Sequence, residues 1–230
     1  MYLKRSGYEF RYIIADEAQY IKNNNTQNAK SIKVVLLGET GVGKTCIIGR
    51  FINNTFENNI MSTTGASYAG KTMTFEEYQG KCIKFEIWDT AGQEKYRALT
   101  KIFYKDAAVA ILVYDITRKE SFTELKNYWY NQIKEVAPKN IILGVAANKC
   151  DLYDDEAVSE EEARSFANEI GAIFKLTSAS TNTGIEELFR ALGCRLLDPD
   201  YIDDTDGSNK KDINIKLDEN KAKKKKGCCK

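Results

Sequence analysis

Ile32-Lys33-Val34-Val35-Leu36-Leu37-Gly38-Glu39-Thr40-Gly41-Val42-Gly43-Lys44-Thr45-Cys46-Ile47-Ile48-Gly49-Arg50 decides the fold. The apolar, β-branched run at its start reads as a buried strand, and the Cys46, Ile47, Ile48, Phe51, Ile52 spacing after it reads as a helix ending near Asn53-Asn54. Between them lies G-x-x-x-x-G-K-[ST], whose glycines permit a loop tight enough to aim successive backbone N–H groups at one point, just ahead of a helix N-terminus. That arrangement is a phosphate cradle, expected to run over Gly38, Gly41, Val42, Gly43, Lys44, Thr45 and Cys46. Lys44 would reach the β- and γ-phosphates of a nucleotide, and the Thr45 hydroxyl would offer Mg²⁺ a hard oxygen ligand.

Composition narrows the chemistry. The 230 residues suffice for one α/β domain with appendages. Net charge is only +1, an average that hides an acidic stretch over Asp198 to Asp206 and a basic run over Lys223 to Lys226. Histidine is absent, which removes the commonest general base and metal ligand, so hydrolysis would have to proceed by positioning and electrostatics. The six cysteines form no C-x-x-C pair, which leaves a zinc site without support and fits a reducing compartment. The opening residues are too polar for a signal peptide, and no apolar run approaches the roughly 20 residues of a membrane span.

The rest of the chain alternates strand and helix. Tyr68 to Tyr78 and Lys81 to Trp88 read as a hairpin around Gln79-Gly80, and Ala107 to Tyr114 and Ile141 to Ala147 as strands buried on both faces. Ile173 to Leu176 is a further strand. Helices are expected over Ser121 to Val136, over Ser159 to Ile170 with Ser159 and Glu162 as a capping box, and over Gly184 to Leu197. Asn58 to Thr64 reads as a mobile loop. The expected class is therefore α/β, a P-loop NTPase with a mostly parallel six-stranded sheet, helices on both faces and one antiparallel hairpin. The domain is bounded at 31–199, after an extension at 1–30 and before a disordered tail at 200–230.

Three more motifs fall at strand ends, where an open α/β sheet binds ligands. After the strand ending at Trp88 comes Asp89-Thr90-Ala91-Gly92-Gln93-Glu94: Asp89 can hold Mg²⁺ through water, Gly92 can bring its N–H to the γ-phosphate, and Gln93 can orient the attacking water. After Ala147 comes Asn148-Lys149-Cys150-Asp151, in which the Asp151 carboxylate can accept both N–H donors on the guanine edge, a pair adenine does not offer. Ser178-Ala179-Ser180 would close the base pocket through backbone N–H groups.

With these motifs in order, the chain resembles the Ras-like small GTPases, and within them the Rab family, over Ser31 to Pro199. Lys84-Phe85-Glu86-Ile87-Trp88-Asp89, Tyr96-Arg97-Ala98-Leu99-Thr100 and Ala110-Ile111-Leu112-Val113-Tyr114-Asp115-Ile116-Thr117 carry the resemblance. It implies a GTP/GDP switch in vesicle trafficking, with Thr63 on Mg²⁺, Phe56 beside the base, and Tyr68, Trp88 and Phe103 as an apolar effector platform. An exchange factor, a GTPase-activating protein, a GDP-dissociation inhibitor, a prenylation escort and effectors follow as implied partners of a monomer. Nucleic acid is not among them. Thr64 and Ser180 depart from the family, which usually has an apolar residue and a lysine there. No arginine stands in an evident position to act in cis, so slow hydrolysis would be raised by a partner's arginine.

The tail ends Lys223-Lys224-Lys225-Lys226-Gly227-Cys228-Cys229-Lys230, which fails the C-a-a-X pattern but resembles the double-cysteine tails of Rabs. This implies a geranylgeranyl chain on each of Cys228 and Cys229, and residence on the cytoplasmic face of an endomembrane with a soluble cytosolic pool. At the other end, Asp16-Glu17-Ala18-Gln19 resembles the Mg²⁺-binding segment of Swi/Snf-type helicase-like ATPases, but no phosphate loop precedes it. Two rival readings are therefore a GTP-binding scaffold with little hydrolysis and an ATP-dependent nucleic-acid motor.

Overall fold

In the chain order of a computed structural model that describes residues 12–13, 29–57, 66–90, 104 and 106–203, seven strands form one sheet. They are β1 (Tyr12–Ile13), β2 (Lys30–Leu37), β3 (Ala66–Phe75), β4 (Lys81–Thr90), β5 (Val109–Asp115), β6 (Ile142–Asn148) and β7 (Ile173–Thr177). Their spatial order is β1-β3-β4-β2-β5-β6-β7, and only β3 and β4 pair antiparallel. All six expected strands are present. The seventh comes from the N-terminal extension, where Tyr12 and Ile13 pair with Tyr68 and Ala69 at the edge of the sheet.

Period-two geometry explains how one sheet supports two cores. In β2, Val34 and Leu36 face one core while Val35 and Leu37 face the other, and in β5 Val109, Ile111 and Val113 alternate in the same way with Ala110, Leu112 and Tyr114. The first core is covered by α1 (Lys44–Asn53) and by the last helix, Ile185–Leu197. There Phe51 stacks on Phe189 at 3.7 Å between ring centroids, and both meet Phe85 edge-on. The second core lies under α2 (Lys119–Glu124), α3 (Tyr130–Val136) and α4 (Glu160–Glu169). The last helix is α5.

Several expected boundaries shift, for local reasons. The first helix of the second core starts at Lys119, two residues ahead of Ser121, and a π-helical turn over Leu125–Trp129 joins α2 to α3. That turn keeps Phe122, Leu125, Trp129 and Ile133 all on the sheet. α3 stops before Ala137, which is extended ahead of Pro138. Ser159 caps α4 by accepting from the Glu162 N–H, but the Glu162 carboxylate reaches Lys126 at 3.2 Å, so only one half of the capping box forms. β3 ends at Phe75 in a 3₁₀ turn over Glu76–Tyr78, not at Tyr78.

Ordered structure also continues past the expected boundary at 199. Tyr201 packs against the first core, and the nearly buried Lys175 on β7 pairs with Asp203 at 2.6 Å, so burial of this ion pair draws residues 200–203 into the domain. The loop expected over Asn58 to Thr64 lies outside the described residues. So does the rest of the tail from 204 on.

Candidate functional site

β2, β5, β6 and β7 end at one edge of the sheet, which gathers the motifs. Gly38 follows β2 so closely against β5 that a Cβ there would lie 2.2 Å from the Val113 carbonyl oxygen. Gly43, the N-cap of α1, has φ of 98° and leaves room for Asn148, whose Nδ2 would be 2.3 Å from a Cβ. No side chain caps α1 and no acidic residue sits in its first turn, so its N-terminal N–H groups and positive dipole end face the loop.

Lys44 is 6% exposed, and its ammonium donates to the carbonyls of Gly38 and Glu39, each at 2.9 Å. Burial lowers its pKa from 10.5 to about 8, against the opposing pull of Asp89 and Glu39. Thr45 Oγ1 donates to Asp89 Oδ2 at 2.7 Å, which unites two hard oxygens from α1 and β4. Thr40 Oγ1 is buried with no hydrogen-bond partner among the described residues.

On the base side, Asn148 Nδ2 donates to the Val42 carbonyl at 2.8 Å and its Oδ1 accepts from Thr177 Oγ1 at 3.3 Å. One buried amide thus ties the phosphate loop to β6 and β7. Lys149 takes a left-handed conformation, φ 66°, and its ammonium meets Asp115 at 2.5 Å. Asp115 is 1% exposed. Burial alone would raise its carboxyl, but Lys149 and the two Thr117 donors outweigh it and hold the pKa below 3.8. Ser178 Oγ donates to Asp151 Oδ1, aiming that carboxylate, and accepts from the Thr181 N–H.

Of the three backbone donors in the Ser178-Ala179-Ser180 motif, the Ser178 N–H is already engaged, donating to the Thr183 carbonyl in an isolated bridge. Ala179 is 4% exposed.

Sequence reasoning passed over three residues here. Asp115 closes a wholly apolar strand with a carboxylate at the ligand edge, and that signal could have been read. Arg118 reaches the phosphate loop after all, donating from Nη2 to the Thr40 carbonyl at 3.0 Å and pairing with Asp115 at 3.3 Å, so it braces the loop from outside. Arg50 donates to the carbonyls of Ala179 and Ser180, and no one-dimensional pattern joins positions so far apart. Thr63, Gly92, Gln93, Phe103, Cys228 and Cys229 lie outside the described residues.

A Ras family model matches residues 33–198. Human Ras-related protein Rab-22A is 42% identical over 200 residues, covering 87% of this chain and 98% of the relative. The chain belongs to the Rab small GTPases of the Ras family. Human Ras-related protein Rab-31 is 44% identical over 172 residues, 74% of this chain and 86% of the relative, and mouse Ras-related protein Rab-21 is 39% identical over 209 residues, 87% and 92%. It is a Rab-like switch of vesicle trafficking that binds guanine nucleotide and hydrolyses GTP. Two of the Rab's expected platform aromatics meet: Tyr68 and Trp88 pack edge to face at 5.5 Å across β3 and β4. Phe56 is half-buried against the first core. No described helix is long and apolar enough to cross a membrane.

Proposed function

We propose that Gly38, Gly41, Val42, Gly43, Lys44, Thr45 and Cys46 cradle the phosphates, while Asn148, Lys149, Asp151, Ser178, Ala179 and Phe56 hold guanine. The observation that carries this reading is the Asn148 bridge, which couples the base-reading turn to the phosphate loop through the Val42 carbonyl. Asp151, aimed by Ser178, accepts from the guanine edge, and adenine would offer this half-buried carboxylate no matching pair of donors.

Thr45, with Asp89 and Thr63, would hold Mg²⁺, and the hydroxyl–carboxylate pair at 2.7 Å suits a hard cation. Bound there, the ion would neutralise phosphate charge. Lys44, held at the mouth of the loop, offers its ammonium to the β- and γ-phosphates. Gly92 would donate its N–H to the γ-phosphate, and Gln93 orients water for in-line attack on it. Tyr68, Trp88 and Phe103 would present the GTP state to effectors. An exchange factor, an activating protein, a GDP-dissociation inhibitor and an escort for prenylation complete the cycle. Geranylgeranyl chains on Cys228 and Cys229 would hold this monomer to the cytoplasmic face of an endomembrane, in exchange with a cytosolic pool.

The test is competition binding with GTP, ATP and XTP. Wild type should prefer GTP to ATP by at least about 10³-fold, and Asp151→Asn should shift preference to XTP, because an amide donates where guanine also donates. Equal affinity of the wild type for ATP and GTP would overturn the assignment of the base pocket.

A further inference from the structure

Arg50 sits in the last turn of α1, the helix whose first residues are the phosphate grip. Its Nε donates to the Ala179 carbonyl at 2.8 Å, and its Nη2 to the Ser180 carbonyl at 3.1 Å. Nη1 donates to the Asn54 carbonyl at 2.9 Å and to Asn54 Oδ1 at 3.3 Å. The guanidinium also lies 5.9 Å from the centroid of Phe56. Its polar partners are carbonyl and amide oxygens, and among the described residues no carboxylate pairs with it. A planar fork that spends its donors on successive backbone carbonyls is a geometric clamp more than an ion pair.

We infer that Arg50 is a positioning residue for guanine, which locks the Ala179–Ser180 backbone and the Phe56 ring to the end of α1 and so sets how fast nucleotide leaves. The inference rests on the base pocket proposed above. Ser178, on the same turn, orients Asp151, so slack in the turn passes directly to the carboxylate that reads the base. The clamp would also link the two ends of the ligand, since α1 carries Lys44 and Thr45 at its start and, through Arg50 in its last turn, holds the Ala179–Ser180 backbone. Asn182 adds a lateral tie to Asn54 at 3.3 Å, which joins the cap of α1 to the same loop.

The experiment measures release of a fluorescent GDP from the full chain, with hydrogen exchange of the GDP-bound protein alongside. Arg50→Ala should release GDP roughly ten- to a hundredfold faster, about the loss of one charged-donor bond, because the second of the two bonds is solvent-exposed. Exchange should rise in residues 178–183 and stay unchanged in β5 and β6. Arg50→Lys should remain fast, because an ammonium lacks the planar fork that meets the Ala179, Ser180 and Asn54 carbonyls at once. Release of GDP from Arg50→Ala at the wild-type rate would sink the inference, as would full rescue by lysine or exchange rising equally across the core strands. If the wild type itself fails to prefer GDP over ADP, the base pocket is misassigned. If it does prefer GDP and Arg50→Ala behaves as wild type, only the clamp is wrong.

Discussion

The base end and the phosphate end of the site are built on different principles. At the base end, Asn148, Lys149, Asp151, Thr177 and Ser178 already have protein partners, in a network that runs from the Val42 carbonyl to Asp115. At the phosphate end, a buried ammonium rests on two backbone carbonyls, a threonine leans on an aspartate, and Thr40 Oγ1 is buried without a described partner. Satisfied buried networks are rigid, and a charge on neutral acceptors is held at a cost that an anion relieves. Under the proposed assignment this is a division of labour, with one end preorganised to choose the nucleotide and the other set to respond to its charge.

The largest test of that division lies at the phosphate end. Gln93→Leu should keep nucleotide affinity near wild type and lower single-turnover GTP hydrolysis by at least about tenfold, since only the water loses its orienting group. Hydrolysis at the wild-type rate would remove Gln93 from the chemistry. At the base end, Asp115→Asn withdraws the charge shared by Lys149 and Arg118. Both cations are about a third exposed, at 35% and 38%, so the buried-pair penalty is discounted to about 1–3 kcal/mol, read as a lower unfolding midpoint in urea. Because the Asp115 pKa is depressed in the fold, its contribution is fully present above 3.8 and is lost as pH falls through the lower folded value. A variant as stable as wild type would show that the base end is not held by this hub.

A subtler comparison uses pH. The buried Lys44 ammonium costs the nucleotide-free protein stability below about 8, and that cost disappears as pH rises towards 10.5. Phosphate restores its proton, so binding above pH 8 should take up close to one proton, and affinity should fall by up to about tenfold per pH unit. Calorimetry in buffers of different ionisation enthalpy reads this directly. No proton uptake at pH 9 would mean that Lys44 is not the anion's partner. The smallest effect is expected far from both ends. Deleting residues 1–28 removes the two-residue pairing of β1 with β3 and should cost less than about 1 kcal/mol, with nucleotide selectivity unchanged. Lost GTP binding would place the extension within the domain's working parts.

Much of this molecule is legible in one dimension because its signals are local. A strand that alternates or stays apolar, a glycine-rich turn and a helix period each depend on neighbours a few residues away. So β2, the phosphate loop, α1, and the motifs closing β4, β6 and β7 can be located from residue order alone. Once a parallel sheet is inferred, their convergence follows from where such strands end. The family follows from the same motifs taken together.

What the fold alone decided are the contacts that span long stretches of chain. Arg50 meets carbonyls 129 and 130 positions away, Asn148 meets Val42 across 106, and Arg118 meets Thr40 across 78. No composition or period encodes such pairs, since their acceptors are backbone carbonyls that every residue carries and only packing brings within reach. The same holds for Ser178, whose N–H was spent on Thr183 once the turn closed, and for Lys175, whose pairing with Asp203 carried the folded chain past Pro199. Residue types state which chemistry is available, and the sheet determines which of it meets.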